Sequence, residues 1–470
     1  MLIPHQKQEE VITSNARFKV IRAGRRSGKT TVETEIILFR AVSKIFNTAR
    51  TFSNRKVLFI APTQKQARTI IWEALKSRIG KIGEPNESRL EMKVPTEEGG
   101  YSTIYVGGWE NRENYRGMSE VYHITFDETD TMKDFFIGYQ EIFRPMLIDT
   151  GGTADFIGTP KKENPNLRRL EKELEGENFQ AFHFTTYDNP IIPTHEVDKA
   201  KEDMDATTFK QEIMAEYVEN EGALFKYTAL IDLFSNSITK SPEKYLIVDI
   251  ADDGSDKTIF TLWQGLEAYE IEQFGQLQTD GIISHIRELA AQHQVPYSQI
   301  AVDAIGVGAG VASSPLLTGI VGYKSSYGAM RTDLDPVRLP NVHYLKNAPL
   351  TTEYKNLRSQ CIFTLASLVN DHKVAVRIDD QRMKSAIIEE LATYQDASTG
   401  DGKRMATMKE DVKELIGRSP DLSDTLIMRM YFILKEKLSP QQDPHKGVVQ
   451  DAIIAQFRRN ENANRNASNK

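Results

Sequence analysis

The stretch FKVIRAGRRSGKT, residues 18–30, carries the clearest fold signal in the chain. An apolar run, residues 18–21, leads into a loop rich in glycine and arginine, and a helical pattern follows from Lys29. A strand, a loop and a helix in this order are typical of a P-loop, whose backbone N–H groups surround nucleotide phosphates. The first glycine of the usual pattern is replaced here by Ala23. The stretch therefore predicts a P-loop with one small departure.

The residues of this loop have distinct expected roles. We expect the Lys29 ammonium group to reach the outer phosphates and the Thr30 hydroxyl group to bind Mg²⁺. Gln8, which precedes the strand, is a candidate for contact with adenine through its amide group. The other residues expected to surround the phosphates are Ala23, Gly24, Arg25, Arg26, Ser27 and Gly28.

A second apolar run, ITFDE at residues 124–128, ends in two carboxylates. In P-loop enzymes a strand of this kind supplies an acid that organises Mg²⁺, and we assign that role to Asp127. Glu128 is expected to orient or polarise the attacking water. The combination of this Walker B pattern with the P-loop predicts ATP hydrolysis and not only ATP binding.

Charge on the transferred phosphoryl group favours a guanidinium donor, and two arginines are candidates. Arg25 lies inside the P-loop and could act in cis, whereas Arg116 precedes the Walker B strand and could act in trans on a neighbouring subunit. The sequence does not choose between them. Thr159, in IGTP at residues 157–160, is expected to sense the γ-phosphate.

Three aspartates in the second half of the chain form another candidate site. Asp249 and Asp303 each end an apolar strand pattern, and Asp424 lies in a helical segment. Carboxylate oxygens suit hard divalent cations, and two cations roughly 4 Å apart can activate water and stabilise a leaving oxygen. The pattern predicts a ribonuclease-H-like nuclease that uses Mg²⁺ or Mn²⁺. Asp256 and Asp421 are possible auxiliary ligands.

Bulk properties restrict the class of protein. The chain has 470 residues, of which 40% are apolar and 27% are charged, and this length favours two or three domains. No apolar stretch approaches the roughly 18 residues that would span a bilayer. The single cysteine, Cys361, excludes an internal disulfide, so we expect a reducing, cytoplasmic location and no membrane partner. The net charge of −7 does not decide nucleic-acid binding, because it averages basic and acidic surfaces.

Apolar strand-like runs alternate with helical patterns along the chain, which indicates an α/β fold. The sequence predicts an N-terminal P-loop ATPase domain with a mostly parallel sheet and a C-terminal ribonuclease-H-like nuclease domain. Helical periodicity in the polar region between them extends from Phe209 to Tyr217. The predicted divisions are an ATPase domain at 1–190, a helical lid or linker at 191–240, a nuclease domain at 241–438 and a polar tail at 439–470.

The order of these motifs resembles the large terminase subunit of tailed bacteriophages. The resemblance covers about residues 4–435 and includes an ATPase set followed by a nuclease set. It implies a genome-packaging motor that cuts concatemeric double-stranded DNA and translocates it by ATP hydrolysis. It also implies a ring, typically of five subunits, at the portal protein of a procapsid, a small terminase subunit as partner, and the host-cell cytoplasm as location.

The resemblance implies site residues as well. It implies that the ATPase site is formed by Gln8, Lys29, Thr30, Arg116, Asp127, Glu128 and Thr159. It also implies that Asp249, Asp303 and Asp424 bind the metal ions of the nuclease.

Two other functions remain open at this stage. A helicase-like DNA translocase fused to a repair nuclease would use the same two constellations, but it should carry a second motor domain, and no such pattern is visible between residues 160 and 240. A nucleotide-gated assembly protein of the portal vertex would use the P-loop as a switch. Glu128 argues against that function, because a switch does not need a group that polarises water.

Overall fold

The computed structural model describes residues 4–44, 54–162, 165–219, 222–251, 256–330, 353–399 and 402–438. These residues form two compact units. The first consists of the described residues of Met1–Ser235 with Ile378–Ala392, and the second of those of Asn236–Arg377 with Thr393–Lys470. The predicted polar tail at 439–470 lies outside the described residues. Within the described part, no helix is both long enough and apolar enough to cross a membrane.

The first unit is built on an eight-stranded sheet with the order β3-β4-β5-β2-β6-β7-β1-β8. Its strands are β1 (Phe18–Ala23), β2 (Asn54–Ala61), β3 (Glu84–Asn86), β4 (Glu91–Pro95), β5 (Tyr101–Gly108), β6 (Val121–Phe126), β7 (Thr153–Gly158) and β8 (Phe179–Phe184). Strands β5, β2, β6, β7, β1 and β8 pair in parallel, whereas β3 and β4 add an antiparallel edge. The predicted α/β fold with a mostly parallel sheet is therefore confirmed.

Helices precede, connect and follow these strands. They are α1 (Gln6–Thr13), α2 (Lys29–Val42), α3 (Gln64–Ala67), α4 (Glu73–Ile79), α5 (Phe135–Gly138), α6 (Arg144–Met146), α7 (Asn166–Glu173), α8 (Thr194–Asp203), α9 (Ala206–Thr208) and α10 (Tyr227–Asp232). Wider π-helical turns cover Arg68–Trp72, Tyr139–Phe143 and Phe209–Ile213.

Apolar side chains pack on both faces of this sheet. Successive residues of β2 alternate between two core clusters, with Leu58 and Ile60 in one and Val57 and Phe59 in the other. A parallel sheet that is covered on both faces needs apolar residues in both directions, which explains why its strands read as continuous apolar runs. Helix α2 packs against β2 and β6, and this packing sets the P-loop beside the Walker B strand.

The second unit contains a six-stranded sheet with the order β13-β12-β9-β10-β11-β14. Its strands are β9 (Lys244–Asp249), β10 (Thr258–Gln264), β11 (Glu267–Phe274), β12 (Ile300–Asp303), β13 (Val321–Tyr323) and β14 (Ala375–Val376). Strands β9, β10 and β11 are antiparallel neighbours, and β12 then pairs in parallel with β9. The second sheet is therefore mixed, with antiparallel and parallel strands, as expected for the predicted α/β class.

Six helices accompany or follow the second sheet: α11 (Thr279–His293), α12 (Val307–Ala312), α13 (Leu357–Asn370), α14 (Gln381–Ala392), α15 (Lys409–Ile416) and α16 (Asp421–Leu438). Helix α14 packs in the first unit, although the strand that precedes it lies in the second. Arg169 of α7 donates hydrogen bonds to Ser385 Oγ at 3.0 Å and Gln381 Oε1 at 3.1 Å. The nuclease domain predicted at residues 241–438 includes this helix, because helical periodicity does not reveal which unit a helix packs against.

The helical periodicity predicted for residues 209–217 extends too far. The π-helical turn ends at Ile213, and Ala215 has a φ of 51°. A left-handed residue interrupts a right-handed helix. The apolar spacing of Ala215 and Tyr217 reflects their burial, not a continuing helix.

Candidate functional site

The predicted nucleotide-binding residues lie at the carboxyl ends of three adjacent strands. β7 lies between β1 and β6 in the sheet, so the P-loop after β1, Thr159 after β7 and the acidic pair after β6 meet at one edge. Ligands of open α/β sheets bind outside the carboxyl ends of the strands. Residues about 100 and 130 positions from Lys29 in the sequence are thus brought beside it.

The P-loop backbone needs its glycines. Gly28 has a φ of 95° and precedes the first turn of α2, and a Cβ there would lie 2.3 Å from Gln8 Nε2. A Cβ on Gly24 would lie 2.3 Å from the carbonyl oxygen of Ile213. Inside the loop, Ser27 Oγ donates to the carbonyl oxygen of Gly24 at 2.5 Å. The loop is therefore tightly packed and leaves little room for larger residues.

The Lys29 ammonium group connects the three strand ends. Its Nζ lies 2.5 Å from Glu128 Oε1 and 2.9 Å from Thr159 Oγ1, and Thr159 Oγ1 donates to the carbonyl oxygen of Ala23 at 2.9 Å. Burial opposes the charge of Lys29, but Glu128 and Asp127 raise the lysine pKa above its ordinary value. Glu128 itself has a φ of 52°, a strained backbone conformation that is frequent at functional sites.

Asp127 is buried at the end of β6, and its Oδ1 has no hydrogen-bond partner among the described residues. Burial and the neighbouring charge of Glu128 raise the pKa of Asp127 to about 6, although Lys29 opposes the shift. Glu33 of α2 is also buried, and burial and the charge of Asp127 raise its pKa well above the ordinary value. A buried carboxylate oxygen without a partner fits a bound cation, so the site suits the predicted Mg²⁺.

A cavity of about 640 Å³ lies in front of these groups. Glu212 contacts two cations that line it, Arg25 through Nε and Lys161 through Nζ. Burial opposes the charge of Glu212, but Lys161 and Arg25 lower its pKa to about 2. The lining residues are Arg25, Arg26, Lys29, Pro62, Gln66, Glu128, Thr131, Thr159 and Lys161.

Several residues predicted for the nucleotide site do not line this cavity, among them Thr30, Gln8 and Arg116. Thr30 is exposed at the start of α2. Both polar atoms of Gln8 are bonded within the protein, since Oε1 accepts from the His5 backbone at 2.9 Å and Nε2 donates to the Gly28 carbonyl at 3.0 Å. Arg116 is half exposed and pairs with Glu113 at 2.9 Å. In this structure Gln8 supports the P-loop, and of the two candidate arginines only Arg25 reaches the cavity.

The three predicted metal ligands come together in the second unit. Asp249 ends β9 and Asp303 ends β12, which are parallel neighbours, so both carboxylates lie at one sheet edge. Asp424 lies in the first turn of α16. Asp421 accepts from the Lys257 backbone N–H at 2.9 Å, and this bond fixes the start of the helix. The three aspartates line one cavity of about 490 Å³.

The charges of this cavity repel one another. Burial raises the pKa of Asp249 well above its ordinary value, Asp424 and Asp303 raise it further, and Lys409 opposes them. Burial would also raise the pKa of Asp424, but Lys409 and Arg358 outweigh burial and hold it low. Hard divalent cations prefer oxygen ligands, and their charge would offset the repulsion between these buried carboxylates.

Two positively charged side chains form ion pairs with Asp424. Lys409 Nζ lies 2.6 Å from Asp424 Oδ2, and Arg358 Nη2 lies 2.8 Å from Asp424 Oδ1. In the part of the chain that the structure describes, no group of three or more His, Cys, Asp or Glu side chains is gathered to hold a metal ion as it stands. Asp256, a predicted auxiliary ligand, pairs with Lys413 at 3.4 Å. In this structure both oxygens of Asp424 are thus paired with side-chain cations.

The glycines after Asp303 make a close turn. A Cβ on Gly308 would lie 1.8 Å from the carbonyl oxygen of Asp303, and Gly306 has a φ of 54°. This tight turn brings the start of α12 against the end of β12.

The sequence did not single out several site residues that the structure reveals. Each belongs to no motif and is brought to its site by packing. They are Glu33, Lys161, Glu212, Arg358 and Lys409. A search for charged residues in apolar surroundings would have found Glu33, since Val32, Ile36 and Ile37 of the same helix are buried.

Comparison with known proteins addresses the first unit directly. Residues 20–231 match the family described as terminase large subunit, T4likevirus-type, N-terminal. The match begins in β1 and ends in α10, so it includes the P-loop and the acidic pair after β6. No curated protein matches the chain.

Solved structures of large terminases are similar to parts or most of the chain, and three of them illustrate this. The large terminase of a thermophilic bacteriophage is 13% identical, with a TM-score of 0.40, over 92% of this chain and 100% of that one. The ATPase domain of the Thermus phage P74-26 large terminase is 22% identical, with a TM-score of 0.38, over 46% and 94%. The nuclease domain of large terminase subunit gp2 of bacterial virus Sf6 is 19% identical, with a TM-score of 0.37, over 44% and 98%. These likenesses are too distant to assign residue roles. Residues 20–231 are thus similar to the terminase large subunit, T4likevirus-type, N-terminal family, which agrees with the resemblance seen in the sequence.

Proposed function

We propose that the chain is the large subunit of a viral genome-packaging motor, which hydrolyses ATP and cuts concatemeric double-stranded DNA. The observation that carries this proposal is the presence of two chemically different clusters in separate units. The first joins Lys29, Glu128 and Thr159. The second joins Asp249, Asp303 and Asp424 around one cavity. The match of residues 20–231 to a terminase family supports the motor function of the first cluster.

In the first unit, ATP would compete with Glu128 for Lys29. The Lys29 ammonium group now contacts Glu128 at 2.5 Å, and a bound γ-phosphate offers it more negative charge. Mg²⁺, held by Thr30 and Asp127, would neutralise phosphate charge. The released Glu128 carboxylate could then accept a proton from the attacking water. Thr159 touches both Lys29 and the loop, which suits a sensor of phosphate occupancy.

An arginine would stabilise the charge of the transferred phosphoryl group. Arg25 lines the cavity but is held by Glu212, so it would have to exchange that carboxylate for phosphate to act in cis. Arg116 is half exposed, as a residue acting in trans in a ring must be.

In the second unit, Asp249, Asp303 and Asp424 would hold Mg²⁺ or Mn²⁺. Divalent metal supplies an activated water and charge stabilisation for the leaving oxygen of a phosphodiester. The side chains contribute oxygen ligands, and Asp249 and Asp424 are buried residues of the cavity lining. Lys409 would leave Asp424 when a cation arrives, because it occupies the same carboxylate.

The partners follow from the family resemblance and remain proposals. They are double-stranded DNA, the portal protein of a procapsid, a small terminase subunit and further copies of the chain in a ring, typically of five. Such a motor would act in the host-cell cytoplasm, transiently at the portal.

The test is plasmid cleavage with Mg²⁺ or Mn²⁺, measured with ATP hydrolysis for the wild type and for Asp303→Ala. The proposal expects cleavage to be lost and hydrolysis to be retained in the variant, because Asp303 and the P-loop lie in different units. If the wild type hydrolyses ATP but cuts no DNA, the nuclease assignment fails. Strand separation of a short duplex by the wild type would instead favour a helicase-like translocase fused to a repair nuclease.

A further inference from the structure

The carboxylate of Asp424 is shared between two unlike cations. Arg358 Nη2 donates to Oδ1 at 2.8 Å, and Lys409 Nζ approaches Oδ2 at 2.6 Å. The Arg358 side chain is 12% exposed, whereas that of Lys409 is 34% exposed. The more buried cation therefore holds one oxygen, and the more accessible cation holds the other.

Arg358 is fixed by more than this ion pair. It lies in the first turn of α13, where the same Nη2 also donates to Tyr394 Oη at 3.0 Å. Tyr394 is fully buried, and its Oη lies 3.4 Å from Ser423 Oγ, next to Asp424 in the chain. A guanidinium group is planar and always charged, so it retains this geometry at any ordinary pH. Lysine is a flexible point charge that can leave at a smaller cost.

We propose that Arg358 is a positioning residue of the nuclease site, which holds Oδ1 of Asp424 so that Oδ2 remains directed to the cation position. This inference rests on the proposed nuclease function. Hydrogen-bond partners behind a metal ligand fix its orientation, and their loss typically weakens metal binding by about 10- to 100-fold. Without Arg358, both oxygens of Asp424 become free to turn toward Lys409.

A positioning role and a purely electrostatic role of Arg358 predict opposite changes in cation affinity when Arg358 is removed. Removing a positive charge near a cation site should strengthen cation binding if Coulomb attraction alone governs it. Removing a group that orients a ligand should weaken cation binding. The direction of the change therefore decides between the two.

The experiment measures Mn²⁺ binding to the full chain by titration calorimetry without nucleotide or DNA. The binding component that Asp303→Ala removes defines the nuclease site. We expect Arg358→Met to weaken this component by about 10- to 100-fold and Arg358→Lys to restore part of the loss. The matched control is Arg377→Met, since Arg377 forms an ion pair with Glu267 in the same unit and does not line the cavity. Its Mn²⁺ affinity should equal that of the wild type.

Cleavage kinetics add a second readout. Arg358→Met should lower kcat for plasmid cleavage at saturating Mn²⁺ with little change in KM for DNA, because the Arg358 side chain is only 12% exposed and is bonded to Asp424. Unchanged or tighter Mn²⁺ binding, or a change confined to KM for DNA, would overturn the inference. If Arg358→Met does not fold, as judged by circular dichroism, the same comparison uses Arg358→Lys. Failure of the wild type itself to bind Mn²⁺ in an Asp303-dependent manner would overturn the proposed nuclease function instead.

Discussion

The substitution Glu128→Gln should slow ATP hydrolysis and tighten ATP binding at the same time. Glu128 is the proposed base, so its amide cannot accept the proton of the attacking water, and we expect kcat to fall by about 10²- to 10⁴-fold. Glu128 also holds Lys29 at 2.5 Å, and this contact must break before Lys29 can reach a phosphate. A neutral amide competes less strongly for the ammonium group.

The size of the affinity gain follows from the burial of the pair. The Lys29 side chain is 12% exposed and the Glu128 side chain 31% exposed. A hydrogen bond to a charged group contributes about 1.5–3 kcal/mol, and the exposure of Glu128 reduces this to about 1–2 kcal/mol. Since about 1.4 kcal/mol corresponds to a tenfold change, the ATP dissociation constant should fall by about 5- to 30-fold.

Phosphate release measures kcat, and titration calorimetry with Mg²⁺ and a slowly hydrolysed ATP analogue measures affinity. Glu177→Gln is the matched control, because Glu177 pairs with Arg144 at 2.8 Å in the same unit and does not line the nucleotide cavity. It should change neither quantity. Reduced turnover with unchanged or weaker binding would refute the competition for Lys29, and undiminished turnover would refute the assignment of the base.

Three further predictions concern the first unit. Asp130→Ala should lower the free energy of unfolding by about 2–4 kcal/mol in urea titrations, because the buried carboxylate accepts two backbone N–H groups at 2.7 and 2.8 Å. Burial lowers the pKa of His123 well below its ordinary value, so the folded protein excludes a proton that the unfolded chain binds below about pH 6.5. Acidification should then lower the free energy of unfolding of the wild type by about 1.4 kcal/mol per pH unit below that point. Urea midpoints of His123→Gln, measured between about pH 7 and 5.5, should not show this loss. Gly28→Ala should weaken ATP binding in the same calorimetric assay, since its Cβ would meet the Gln8 amide at 2.3 Å and a φ of 95° strains alanine.

Strands were the most predictable part of the fold. The apolar run at residues 18–21 lies in β1, and the apolar part of the run at residues 124–128 lies in β6. Buried strands read as unbroken apolar segments, so a local pattern is sufficient to find them. The edge strands β3 and β4 were not predicted, since their charged and mostly exposed residues lack that pattern.

The candidate sites were predictable only where chemistry follows a short motif. The P-loop, the acidic pair at residues 127–128 and the three aspartates were named from local sequence. The structure brings the P-loop and the acidic pair to one sheet edge and the three aspartates to one cavity. Glu212 and Arg358 could not be found in this way. Their partners are 187 and 66 residues distant in the chain, respectively, so no local pattern records the contact.

The sequence by itself determined the α/β class, the order of the two units and the residue types available for phosphate and metal chemistry, because these depend on local periodicity and on motifs of a few residues. Only the tertiary structure decided which charges those residues meet. It paired Lys29 with Glu128, held Asp424 between Arg358 and Lys409, and placed α14 in the first unit. Such contacts arise when sheet order and helix packing bring distant segments together. A buried charge is costly unless it is paired, so each buried ionic side chain then pairs with an opposite charge nearby.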